Sequence, residues 1–356
     1  MKRLVTLTLF TLLASFYCLA TIRTVSNDPQ NPAQFTSIQA ALDASIAGDT
    51  VYVNGSAIDY GESPNVVKRL VIVGAGYNPA GPPNLATRIN GRFTLFSGAS
   101  GTVISGFRLG GFLANSGNVN NIQVLRNYIG YLISGAAVNF NGSNWAFSHN
   151  LIVNCGIQVN NSSGVLFQNN IFSNGGFSSS NQPSVIIDHN LFLGSISPLN
   201  TNIRNATVSN NIFALTQGPT IDATTQSNSF VNNINVLTNV AATAPTNSFA
   251  GGPNSETGNL YGVDPQFVSV ANFTNYNVFF DYRLKSTSPG KNAGNDATDI
   301  GVYGGGFPFP TGGASGGGFD TSAQPPVPQV TNVNIQNSSV APGTQLRVTI
   351  QATVNN

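Results

Sequence analysis

Between residues 120 and 236 apolar and polar positions recur as one short phrase. Two alternating apolar positions lead into a polar pair that ends in asparagine, and an apolar pair follows. The phrase reads Val-Leu-Arg-Asn-Tyr-Ile at 124–129, Phe-Gln-Asn-Asn-Ile-Phe at 167–172 and Ile-Asp-His-Asn-Leu-Phe at 187–192. The aligned asparagines are Asn127, Asn150, Asn170, Asn190, Asn211 and Asn233, at steps of 23, 20, 20, 21 and 22 residues. Before each asparagine the alternation (Val165 and Phe167, Val185 and Ile187, Ala206 and Val208) predicts a strand with one face inward. The phrases are too short for ordinary helices. Asn, Gly and Ser between them tolerate turn and left-handed conformations and suit the corners of a coil.

A period near 20 residues marks a solenoid, in which each repeat buries its apolar face only against its neighbours. Stacked coils of this length predict a parallel β-helix, with Asn127 through Asn233 as an internal ladder. Thr102–Leu109 fits the repeat with Gly106 in the asparagine column. Towards the N-terminus, residues 35–53 predict a short amphipathic helix opened by a Thr36/Gln39 capping box, with Ile38, Ala41 and Leu42 on one face. Gly48-Asp49 then turns into the strand Thr50–Val53. Such a helix would cover the open end of the first coil. Residues 66–76 read as one strand and a glycine corner. The chain therefore divides into a targeting segment 1–20, a β-helix 21–303, a Gly/Pro-rich linker 304–328 and a two-strand piece 329–356 that resembles part of an immunoglobulin-like sandwich.

Composition narrows the setting. The 356 residues are only 8% charged, with a formal net charge of +1. That gives no reason to expect nucleic acid as a partner. Lys2 and Arg3, the apolar stretch Leu4–Tyr17 and Cys18-Leu19-Ala20 form a signal-peptide pattern, with cleavage expected after Ala20 and no membrane span thereafter. Cys155 is then the single cysteine, expected as a buried small hydrophobe.

The motifs Phe35-Thr-Ser-Ile-Gln-Ala-Ala-Leu, Gly48-Asp-Thr-Val-Tyr-Val, Val73-Gly-Ala-Gly-Tyr-Asn-Pro, the asparagine repeats and Tyr282-Arg-Leu…Ser288-Pro…Thr298-Asp-Ile-Gly-Val-Tyr-Gly carry a resemblance. Over roughly residues 22–304 the chain resembles secreted bacterial right-handed parallel β-helix proteins of the pectin-lyase-like superfamily. The resemblance implies an all-β, right-handed parallel β-helix solenoid with a capping helix and a small C-terminal β segment, secreted or at the cell surface. It also implies a link to polysaccharide: superfamily enzymes gather carboxylates, a Lys or Arg, or Ca²⁺ on one outer face.

Residues 127–255 offer little of that. Their ionisable acids, bases and imidazoles are His149, Asp188, His189, Arg204 and Asp222. Asp188 falls in a column with Ser148, Gln168 and Ser209; His189 falls with Arg126, His149, Asn169 and Asn210. Neither column stacks two carboxylates, so no metal site and no Ca²⁺ site is expected, and no cofactor. Adjacent Asp188 and His189 are expected on opposite faces of a strand, as ordinary solvated residues. Asp281, Asp296 and Asp299 are expected as a structural cap. Tyr128, Tyr131, Trp145, Phe177, Tyr261, Tyr276 and Tyr303 are aromatic faces that sugar rings could meet, with Trp145 assigned to the core. The reading is a non-catalytic binding or structural module for polysaccharide, with His149, His189 and Arg126 as ligand contacts. One alternative is a polysaccharide lyase or glycoside hydrolase using Asp188, Arg204 and Asp222; another is an adhesin or surface-assembly subunit resting on residues 329–356.

Overall fold

The computed structural model describes residues 20–78, 85–116, 118–130, 135–160, 162–179, 184–194, 198–199, 203–216, 226–237, 249, 253–310, 329–335 and 347–353. The expected targeting segment lies almost wholly outside them, as does the linker beyond Pro310. The described coils form a parallel β-helix with three sheets. The longest runs over eleven strands from Ile22–Val25 to Ser255–Thr257; a second runs over nine, from Thr87–Arg88 to Leu260–Tyr261; a third over six, from Asn65–Val66 to Gly176–Ser179. One coil shows the path. Val165–Gln168 lies in the long sheet, Ile171–Ser173 in the nine-stranded sheet and Gly176–Ser179 in the six-stranded sheet. Strands pair with their counterparts one coil on, as Val165 with Val185 and Ile171 with Leu191, with register shifts in the six-stranded sheet at Ala136/Val138 and Leu95/Phe96.

The corner between the first two sheets sets this geometry. The residue before each ladder asparagine is left-handed: φ is 52° at Arg126, 57° at His149, 52° at Asn169, 52° at His189, 57° at Asn210 and 51° at Asn232. That conformation costs a non-glycine residue roughly 1–2 kcal/mol, and Asn and His tolerate it better than most. The next residue points its amide inward. Asn190 Oδ1 accepts from the backbone N–H of Asn170 at 2.9 Å and from Asn170 Nδ2 at 3.0 Å. Asn190 Nδ2 donates to Phe167 O at 2.9 Å and Asn211 Oδ1 at 3.0 Å. The same pattern runs from Asn127 to Asn233 and reaches one rung further, to Asn259. Gly106 is not in this column. Ser105 pairs with Leu125, so Gly106 matches Arg126, and Phe107 stands opposite Asn127, whose Oδ1 takes the Phe107 N–H. Gly106 is the left-handed residue of its coil, with φ 81°.

Inside, side chains stack coil upon coil. Phe147 lies on Phe167 with centroids 4.6 Å apart, and Phe172, Phe192 and Phe213 follow each other at 4.7 Å. Such parallel offset contacts contribute beyond the area they bury. Trp145 is fully buried, as its alignment with Val165 requires, and donates Nε1–H to Val119 O at 2.7 Å. Cys155 is a buried free thiol, and burial pushes its pKa up to about 12.

The N-terminal helix Ile38–Ala44 forms with Ile38, Ala41 and Leu42 buried. Its cap differs from expectation. Ser37, not Thr36, is the N-cap and accepts from Ala40 N, and the Glu62 carboxylate takes the N–H groups of Ile38 and Gln39 at 2.9 and 2.8 Å. A carboxylate from the next coil satisfies the helix N-terminus better than a local glutamine. Residues 66–76 form two strands rather than one, Asn65–Val66 in the six-stranded sheet and Val71–Gly74 in the long sheet. Lys68 sits at the corner between them, its ammonium held by Ser45 O at 2.6 Å.

The closing segment does not end the coil stack. It runs back along the flank as a strap. Phe267, Tyr282, Leu284, Ile300, Val302 and Phe309 pack onto the outer apolar face of the nine-stranded sheet, which presents Leu151, Ile171, Leu191, Ile212 and Ile234. The packed chain continues to Phe309, whose N–H reaches Val302 O at 2.7 Å, and so takes in the first residues of the linker expected over 304–328. The C-terminal strands Gln329–Ile335 and Val348–Thr353 pair antiparallel.

Replacing Asn190 by Ala strips partners from Asn170 and from Phe167 O in a dry interior. Each buried group left unpaired costs about 1–3 kcal/mol. Chemical unfolding should show a loss of about 2–4 kcal/mol. A loss below about 0.5 kcal/mol would mean the ladder is not a stabilising element.

Candidate functional site: a covered corner and an open amide face

The left-handed corner column holds every titratable residue proposed as a ligand contact, and the strap covers it. His189 is fully buried, His149 is 2% exposed and Arg126 7%. The column is therefore a seam and not a solvated surface. Asn169 Nδ2 donates to Val302 O and Gly304 O, both at 2.9 Å. Asn210 and Asn295 exchange two hydrogen bonds, Nδ2 to Oδ1 at 2.8 Å and backbone N–H to Oδ1 at 2.9 Å. Asn232 Nδ2 donates to Ala293 O at 2.8 Å. A left-handed residue throws its side chain outward at the corner, and here a whole column of them meets one passing segment.

Asp188 and His189 do not part to opposite faces. His189 is left-handed rather than extended, so strand alternation does not apply to it. Its Nδ1 lies 2.9 Å from Asp188 Oδ2, and its Nε2 lies 3.2 Å from Thr298 Oγ1 and 3.6 Å from Asp296 Oδ2. Thr298 Oγ1 donates to Asp296 Oδ1 at 2.7 Å and accepts from Gly305 N–H at 2.7 Å. Asp188 Oδ1 accepts from Ser209 Oγ at 2.7 Å and Asn210 Nδ2 at 3.0 Å. Burial works against the Asp188 charge, but the His189, Ser209 and Asn210 bonds outweigh it and hold the carboxyl below its usual range.

His149 takes a different environment. Its Nε2 lies 2.9 Å from Phe307 O, its ring stacks on Phe307 at 4.3 Å, and Phe309 meets it edge-on at 5.5 Å. The carbonyl makes Nε2 the donor. Nδ1 is buried without a partner. Burial, with Arg126 nearby, pushes its pKa down to about 4 despite the Phe307 carbonyl.

The lyase or hydrolase trio is not brought together among the described residues. Arg204 is half-buried and bridges to Gln226, and it is not among the partners of Asp188. Asp222 lies outside the described residues. Asp281 and Asp299 bond backbone N–H groups, of Arg283 and Asn292, and ion-pair with Arg283 and Lys291, while Asp296 accepts from Thr298 N–H. They lock turns of the strap rather than cap a coil end. Among the described residues no group of three or more His, Cys, Asp or Glu could hold a metal ion. Of the aromatic faces, Trp145 and Phe177 are buried, Tyr276 stacks on Tyr282 at 5.9 Å, and Tyr128 lies under the Arg108 guanidinium at 4.8 Å. Tyr131 lies outside the described residues.

An uncovered surface of different character runs across the six-stranded sheet. In register across it stand Asn65, Thr94, Leu113, Asn139, Gln158 and Ser178. All are half-buried or exposed, and all but Leu113 carry an uncharged hydrogen-bonding group. Asn141 and Asn160 pair beside them. Asn139 Nδ2 donates to Gln158 Oε1 at 3.2 Å, and Asn160 Nδ2 donates to Asn139 Oδ1 at 3.2 Å. Rungs about 4.8 Å apart thus make a row of fixed amides. The sequence held a signal for it that the ladder obscured: Asn139, Gln158 and Ser178 recur at steps of 19 and 20 residues.

No family model matches the chain, and no curated protein matches it. Among solved structures it is similar to the catalytic domain of a GH87 α-1,3-glucanase in complex with tetrasaccharides, at 14% identity and a TM-score of 0.29 over 67% of this chain. It spans 47% of that domain's length. It is also similar to a pectate lyase from Bacillus sp. N165 in complex with trigalacturonate, at 14% identity and a TM-score of 0.32, over 76% of this chain and 90% of the lyase. At these values the likeness carries nothing about activity. Among the described residues no helix is long and apolar enough to cross a membrane.

The folded-state pKa of His149, about 4, lies below its ordinary 6.5. Between these values the unfolded chain binds the extra proton, so stability falls as pH drops from 6.5 towards 4, by up to about 3 kcal/mol. Asp188, whose pKa is depressed, adds a further loss below about pH 4. Urea unfolding at pH 7 and pH 4.5 should show a smaller difference for His149→Asn than for the natural chain. Equal differences would remove His149 from the account.

Proposed function

We propose that this protein is an extracellular β-helix module that binds an uncharged polysaccharide on its six-stranded sheet and does not cleave it. The carrying observation is the row Asn65, Thr94, Asn139, Gln158 and Ser178 on one open face, broken by Leu113 between Thr94 and Asn139. Amides and hydroxyls held at fixed spacing offer donors and acceptors to sugar hydroxyls without the charge that an acidic polymer would call for. Holding the amides in advance also lowers the ordering cost of binding. Cleavage would need an acid and a base on either side of a glycosidic bond. In the middle coils the described groups of that kind are already engaged, His189 and His149 with the strap and Asp188 with His189, Ser209 and Asn210. The signal-peptide pattern at residues 1–20 supports the extracellular part of the reading, and a sheet face open to long polymers suits that setting.

Affinity electrophoresis against neutral and acidic polysaccharides tests the reading. The natural chain should be retarded by at least one neutral polymer. The double variant Asn139→Ala/Gln158→Ala should bind about tenfold or more weakly at an unchanged unfolding midpoint. No reducing ends or unsaturated uronides should appear on prolonged incubation. Product release that is lost in Asp188→Ala would replace this reading with the lyase or hydrolase alternative.

A further inference from the structure

A cleft of about 660 Å³ opens between the last coils and the base of the strap. That is the size of ordinary small-molecule sites, about 300–1,000 Å³. One wall is apolar, built from Val236 of the nine-stranded sheet with Phe267, Val270 and Phe273 of the strap. The rest of the lining includes the polar residues Asp264, Gln266, Lys285 and Thr287, and Gln266 links the other three. This residue is left-handed, with φ 52°, and three contacts fix it there. Its N–H reaches Asp264 Oδ1 at 2.8 Å, its carbonyl takes the Lys285 N–H at 3.0 Å, and its Oε1 takes the Thr287 hydroxyl at 2.7 Å.

With Oε1 engaged, the Gln266 Nε2 group remains a donor at the rim. The Lys285 ammonium is a second donor and the other Asp264 oxygen an acceptor; neither has an ionic or side-chain partner among the described residues, and both side chains are exposed. The wall and the rim together ask for a ligand with one apolar face and several hydroxyls. A sugar ring has that form, its C–H face against the apolar wall and its hydroxyls towards Gln266, Lys285 and Asp264. An alkyl chain would leave the rim unanswered, and an inorganic anion would meet the Asp264 carboxylate.

We propose that this cleft is a saccharide site for one or two sugar rings. It is separate from the six-stranded face and shares no residue with it, so either can fail alone. Isothermal titration and saturation-transfer NMR on the full chain would use glucose, galactose, N-acetylglucosamine, galacturonate and cellobiose. At least one should bind saturably, with a dissociation constant on the order of millimolar. Lys285→Gln should weaken that binding about tenfold, and Val270→Trp, which fills the cleft, should abolish it at an unchanged unfolding midpoint. Asn139→Ala/Gln158→Ala should leave it intact. No saturable binding by any of the five sugars, or binding that survives Val270→Trp in the folded protein, would overturn the proposal.

Discussion

From Asn127 to Asn259 each coil depends on a two-residue corner in which one residue is left-handed and the next is an inward asparagine. The left-handed residue bends the chain sharply between two sheets. The bend leaves backbone groups inside the coil with no strand to pair them, and buried backbone groups must be paired. The asparagine resolves this with one acceptor and two donors. Its oxygen takes the N–H and Nδ2 of the asparagine one coil earlier, and its nitrogen reaches the carbonyl of the inward strand residue. No shorter or purely apolar side chain carries that set. The register of all three sheets follows, because each coil is pinned to the next at the same point.

The left-handed residue has a second consequence. It throws its side chain outward, and it tolerates Asn and His better than β-branched residues. The column that results, His149, Asn169, His189, Asn210 and Asn232, is polar and regular. The strap lies along it, bonded by side chains on one edge and packed by Ile300, Val302 and Phe309 on the apolar sheet beside it. The few charges of the middle coils are thereby drawn into architecture. What stays open on the six-stranded sheet is a row of amides and hydroxyls, which is why the functional reading rests on amides and not on carboxylates.

The same corner geometry decides which features are legible in the sequence. The ladder from Asn127 to Asn233 was legible because a solenoid repeats its constraint and so repeats the residue. Asn259 was not, because a longer insertion puts it 26 residues after Asn233. Gly106 stands one position before the ladder, because glycine suits the left-handed corner and carries no amide side chain. Strand alternation would part Asp188 from His189, but the strand ends at Asp188 and the left-handed turn brings the two side chains together. Thr298 and Asp296 could not be joined to His189 at all, since more than 100 residues lie between them and no period links strap to coil.

The sequence alone determined the local and periodic features: strand alternation, corner asparagines, the N-terminal helix and the inward place of Trp145. Each arises from forces between a residue and its neighbours in the same or the next coil, and those recur at a readable interval. Tertiary structure alone decided which faces are covered. The strap, running back over the nine-stranded sheet, buries the histidines that look solvated in sequence and leaves the Asn139–Gln158 face free. Coverage depends on where a distant, aperiodic segment finds apolar surface and free hydrogen-bonding groups, and no local pattern encodes that.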